Sequence, residues 1–109
     1  MYKIYVDTSN RINKTIQLRK LTDIQWNTID TVEGNFDPAV EIFKLLQKHN
    51  LKPKDITEFV PFLGPGSFTG LKNGVTLCNI LNWALGNKSA DQLPMPNYGS
   101  EPNIQPPSK

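Results

Sequence analysis

At 109 residues, with 12 basic and 10 acidic side chains and a formal net charge of +2, the chain has room for one domain with a modest core. No dense run of Lys or Arg marks a nucleic-acid or membrane surface, so direct contact with tRNA or DNA is not expected of this chain alone. No run approaches about 18 apolar residues and no apolar stretch follows a basic start, so neither a membrane span nor a signal peptide is expected. Cys78, the single cysteine, has no partner for an internal disulfide and sits in an apolar helical pattern, which predicts a small core hydrophobe in the cytoplasm.

Residues 2–6 are β-branched and aromatic and run into the turn formers Asp7-Thr8-Ser9-Asn10, which predicts a strand and its turn. Residues 14–20 alternate Ile16 and Leu18 with polar neighbours, and Ile24 to Ile29 around Trp26 reads as a third strand. Three strands in succession predict an antiparallel meander. Asp37 followed by Pro38 is a helix start, after which Ala39, Ile42, Phe43 and Leu46 recur at i, i+3, i+4 and i+7. Lys48 and His49 complement the end of that helix before Asn50 stops it. His49, the single histidine, reads there as a surface group and not as a general base or metal ligand.

Glu58 to Leu63 is strand-like, and Pro61, which has no N–H to donate, predicts an edge strand. Gly64-Pro65-Gly66-Ser67-Phe68-Thr69-Gly70 follows, a tight turn whose physical uses are to receive a phosphate at a helix N-terminus or to dock a helix closely on a sheet. The spacing then predicts a helix from about Leu71 to Leu85, closed by Gly86. Leu71, Gly74, Val75, Cys78, Leu81 and Leu85 share one face of it, and Leu77, Ile80 and Ala84 another. Two apolar faces call for two packing partners: the sheet, and either the first helix or another chain beside Gly74. Trp83 falls off both faces, as a cover for the tail or as a contact residue.

From Asp91 the character changes, with five of the nine prolines in the last 19 residues. Residues 91–109 therefore read as an irregular tail to a folded unit of residues 1–90, with Leu93, Met95 and Tyr98 apolar enough to lie along the edge of the Glu58 to Leu63 strand.

Asp7-Thr8-Ser9 after the first strand, together with Gly64 to Leu71, Lys72 and Gly74, resembles the TsaB family, whose motif is GPGSFTG-L-[RK]-x-G. That family belongs to the actin-like ATPase superfamily and supplies the non-catalytic subunit of the bacterial machinery that makes threonylcarbamoyl-adenosine in tRNA. The resemblance covers roughly residues 1–86 and only the N-terminal of two lobes. It departs from the family after the second helix, where Asn87 to Ser100 is polar and Pro-rich, and before the first, where Asn35-Phe36-Asp37 replaces the usual His and Ser. It implies an α/β, ribonuclease H-like lobe with a three-stranded antiparallel meander, a parallel edge strand and two helices.

By the same resemblance the chain is a non-enzymatic subunit that binds and activates a TsaD-like catalytic partner, with a TsaE-like ATPase as a further associate and no cofactor or metal of its own. The contact in the family is built from the two helices of each N-terminal lobe. This nominates Ala39, Ile42, Phe43, Leu46, Leu71, Gly74, Val75 and Cys78 as partner-binding, with homodimer formation through the same helices when the chain is alone. The alternative is a phosphate- or nucleotide-binding half-site using Asp7, Thr8 and Ser9, completed by another chain.

Overall fold

A computed structural model describes residues 1–88. The expected tail of residues 91–109, and the placement of Leu93, Met95 and Tyr98 along the sheet edge, lie outside the described residues. Four strands, β1 (Tyr2–Asp7), β2 (Lys14–Thr22), β3 (Gln25–Gly34) and β4 (Ile56–Pro61), form one sheet in the order β3-β2-β1-β4. The first three make the antiparallel meander, and β4 returns parallel to β1 at the edge, as Pro61 foretold. Helix α1 (Pro38–Lys48) and helix α2 (Phe68–Ala84) complete the fold.

Period-two alternation decides which face is buried. Ile4 and Val6 of β1, Ile16 and Leu18 of β2 and Phe59 of β4 meet Ile42, Leu45 and Leu46 of α1 and Cys78 of α2 in one core. The opposite face carries Tyr5, Thr15, Gln17, Arg19, Val60 and Phe62, which line a groove of about 440 Å³. On it the Arg19 guanidinium stacks 3.9 Å from the Tyr5 ring and is held by Gln17 at 2.6 and 3.1 Å.

Several local expectations change, the first being that the strand read as Glu58 to Leu63 runs Ile56–Pro61. Ile24 is not the first residue of a strand: Asp23 adopts φ +57°, making a tight hairpin turn that leaves Ile24 almost fully exposed. The third strand runs on to Gly34, with Ile29 as the extra residue where the pairing with β2 shifts at Leu18 and Arg19. On α1 the buried stripe is Ile42, Leu45 and Leu46, because Phe43 lies about 100° round the helix from Ile42 and points outward.

Candidate functional site

The site is built where two turns meet at the C-terminal ends of β1 and β4. After β1, the Asp7 carboxylate accepts from the Ser9 backbone N–H at 2.9 Å and from the Ser9 hydroxyl at 2.6 Å, which closes an Asx-type turn. That turn points Thr8 inward, where it is 3% exposed and its hydroxyl donates to the Gly70 carbonyl. After β4, Gly64 takes φ +109°, which favours glycine, and Ser67 caps α2 by accepting from the Gly70 N–H at 3.1 Å. Helix α2 thus begins one turn earlier than its apolar spacing predicts, since the cap and not the first leucine sets its start.

The glycines of the second turn are spaces for the first. A Cβ at Gly66 would stand 2.9 Å from the Ser9 Cβ; at Gly70 it would strike the Thr8 carbonyl, and at Gly74 the Thr8 hydroxyl. The two motifs, some 60 residues apart, are therefore one interlocked unit, and close docking of α2 on β1 is the use the structure makes of them. Gly74 faces Thr8 and not a neighbouring helix. Beside the lock, Arg11, Lys14, Asp37, Thr69 and Asn73 line a cleft of about 340 Å³ between the N-terminal ends of the two helices. Asp37 caps α1 by accepting from the Ala39 N–H at 3.0 Å, and the Lys14 ammonium donates to the Phe36 carbonyl at 3.0 Å. Among the described residues no group of three or more His, Cys, Asp or Glu is arranged to hold a metal ion.

The residues nominated as partner-binding are mostly engaged within the chain. Ile42 and Leu46 of α1, and Leu71, Gly74, Val75 and Cys78 of α2, are buried, and Ala39 is half-buried. Burial pushes the Cys78 thiol up to about 12, with the Glu58 carboxylate adding to the effect, so it is an inert hydrophobe. Of the nominated set, Phe43 alone is exposed, at 51%. The apolar surface that the helices do present is Val40 and Phe43 on α1 with Ile80 and Trp83 on α2, the last at 64% exposure. Val40 escaped the sequence reading, though it stands off the stripe that α1 buries; Ile80 was already read on the second apolar face of its helix.

His49 lies at the end of α1, as expected, but it is paired. Its Nε2 and the Lys48 ammonium both contact the Asp30 carboxylate of β3, at 2.9 and 2.8 Å, and they hold that carboxyl down at about 2. The bond from Lys48 is the larger cause, followed by that from His49. Asn82 is fully buried yet polar: its side-chain amide accepts from the Phe59 N–H and donates to the Phe59 carbonyl, both at 2.8 Å. An Asn inside an apolar helical pattern was the available signal, but Asn73 and Asn79 in the same helix share it.

A mixed four-stranded sheet with both helices on one face and a Gly-rich turn leading into the second helix is a lobe of the actin-like class. The structure is similar to that of YeaZ from Pseudomonas aeruginosa, with a TM-score of 0.62 and 18% identity over 78% of this chain and 40% of that one. It is also similar to a structure titled as an uncharacterized protein with similarity to peptidase YeaZ from Pseudomonas aeruginosa, with a TM-score of 0.59 and 19% identity over 78% of this chain and 39% of the other.

In sequence, the family model described as TsaD: tRNA N6-adenosine threonylcarbamoyltransferase matches residues 35–90, and the chain belongs to that family. Within it the chain is TsaB-like, being 33% identical over 81 residues to the tRNA threonylcarbamoyladenosine biosynthesis protein TsaB of Bacillus subtilis. That alignment takes in 73% of this chain and 35% of the Bacillus protein, so the chain spans about a third of the length of that relative.

Proposed function

We propose that this chain is a non-catalytic subunit that binds and activates a TsaD-type threonylcarbamoyltransferase in the modification of adenosine in tRNA, acting in the cytoplasm. The observation that carries the reading is the outward surface of the two helices, where the apolar Val40, Phe43, Ile80 and Trp83 stay exposed although each helix buries a separate stripe in the chain's own core. This surface falls within residues 35–90, the stretch that the family model matches. Aromatic anchors dominate such contacts, and removal of one costs about 2 kcal/mol or more, roughly thirtyfold in Kd. A TsaE-like ATPase joins the same assembly, and the isolated chain pairs with itself through the same surface.

Calorimetric titration against the TsaD-type subunit of the same organism tests this. A one-to-one complex at micromolar Kd or below is expected, weakened at least about tenfold by Phe43→Asp or Trp83→Asp and unchanged by Ile24→Asp at the hairpin turn. No complex, or one that ignores both helix variants, overturns the reading.

A phosphate-binding half-site is the second reading, favoured by the cations Arg11 and Lys14 in the cleft beside the Asp7-Thr8-Ser9 turn. Against it, the side chains of Asp7 and Thr8 are engaged within the lock. ATP with Mg²⁺ binding in calorimetry, abolished by Asp7→Ala, would favour this alternative.

A further inference from the structure

Among the described residues β4 is one edge of the sheet, opposite β3, and a parallel edge strand turns alternate main-chain groups away from its neighbour. Glu58 and Val60 face Lys3 and Tyr5 of β1 in register, and the Phe62 N–H donates to the Val6 carbonyl. The Phe59 N–H and carbonyl turn the other way. Neither is open, because the Asn82 amide takes both. Two residues further along, Pro61 has no N–H to offer, and at the start of the strand the Asn87 amide donates to the Ile56 carbonyl at 3.3 Å while also reaching the Asn82 amide oxygen at 3.4 Å. The edge is thus taken up by side-chain amides at its start and middle, and lacks a donor at Pro61.

We propose that Asn82 stands in for a fifth strand: its side-chain amide supplies the donor and acceptor that an added strand would supply, so β4 is shut to pairing with any further extended segment. Partners consequently do not lengthen the sheet at β4, whatever they do at β3, the opposite edge. The inference does not depend on the proposed function. A buried amide in an apolar helix face is costly unless both of its groups are bonded, and here both bonds go to one residue of the edge strand.

The test uses the full chain with Trp83→Asp as background, so that association through the helices does not interfere. In the Asn82-bearing protein, the Phe59 amide is expected to exchange at least ~100-fold more slowly than an unstructured amide. A synthetic peptide of sequence Ile56–Pro61, offered as an extended strand, is expected not to bind. In Asn82→Leu, close in volume and without either bond, Phe59 protection should fall at least ~10-fold or the peptide should bind. Asn82→Asp, which keeps the acceptor and loses the donor, should fall between. The proposal is overturned if Phe59 exchanges freely in the Asn82-bearing protein, if the peptide binds that protein with changes at the β4 amides and not at those of β3, the opposite edge, or if Asn82→Leu folds with Phe59 protection unchanged and the peptide still refused at β4. Should Asn82→Leu not fold, the two measurements on the Asn82-bearing protein decide.

Discussion

Gly70 and Gly74 both face Thr8, but they face different atoms of it, and that difference sets what a methyl group does at each. At Gly70 the new atom meets the Thr8 carbonyl, main chain fixed by β1; at Gly74 it meets only the hydroxyl, with the Thr8 Cβ and Cγ2 at an ordinary 3.5 Å. Replacing Gly by Ala inside a helix gains about 1 kcal/mol of intrinsic propensity, whereas overpacking costs about 1–3 kcal/mol. Both Gly70→Ala and Gly74→Ala are therefore expected to be destabilising, Gly70→Ala the more so because main chain and not a hydroxyl must yield. Thr8→Ala should relieve Gly74→Ala and not Gly70→Ala, an asymmetry that urea denaturation of the single and double variants would detect as non-additivity. Midpoints for both Gly70→Ala and Gly74→Ala at the wild-type value would contradict the interlock.

The carboxylate of Asp30 makes a pH prediction at the same scale. Its folded pKa, about 2, lies below the ordinary 3.8, so the link to Lys48 and His49 contributes in full above about pH 4 and is lost as the pH falls towards 2. Asp30→Asn should flatten the dependence of stability on pH across that window and cost only about 1 kcal/mol or less at pH 7, as the pair is near the surface. An unchanged acid limb in chemical denaturation would show that the link contributes nothing. Glu58 follows a related logic: burial pushes its carboxyl up, but Lys88 and Lys3 outweigh this and the net direction is downward.

Among the elements, the two helices differ in what their caps are asked to do. Asp37 serves α1 alone, whereas Ser67 caps α2 and also reaches the Ser9 carbonyl at 3.5 Å across the lock. Removal of a cap costs about 1 kcal/mol. Ser67→Ala is expected to cost more than Asp37→Ala in thermal unfolding; the reverse order would mean that the two turns are not mechanically joined. The cap of α1, its proline, its C-terminal residues and the edge position of β4 were all legible, because each is a local signal with one physical meaning. The face that α1 buries was not. Ile42 and Phe43 are equally apolar, and only the packing of Leu45 against the sheet decides which of them turns inward. The interlock was half legible: the Gly-rich turn announced close docking, but nothing local says that Thr8 is what docks there.

At the scale of the whole fold, the described residues cover one face of the sheet with two helices and leave a groove of about 440 Å³ on the other. The exposed helix residues proposed to meet a partner are uncharged, so the affinity measured for Trp83-dependent binding should change little between low and high salt, unlike a contact made by surface charges. A steep salt dependence would move the contact towards the cleft of Arg11 and Lys14.

The lone thiol of Cys78 sits in the core with no exposed surface. The chain thereby carries its own clock for opening. A thiol-reactive dye can mark only those molecules whose α2 has lifted from the sheet, and the marking rate counts such excursions. Gly70→Ala should hasten that rate, and a bound helix-capping partner should slow it, all without a probe having to be introduced.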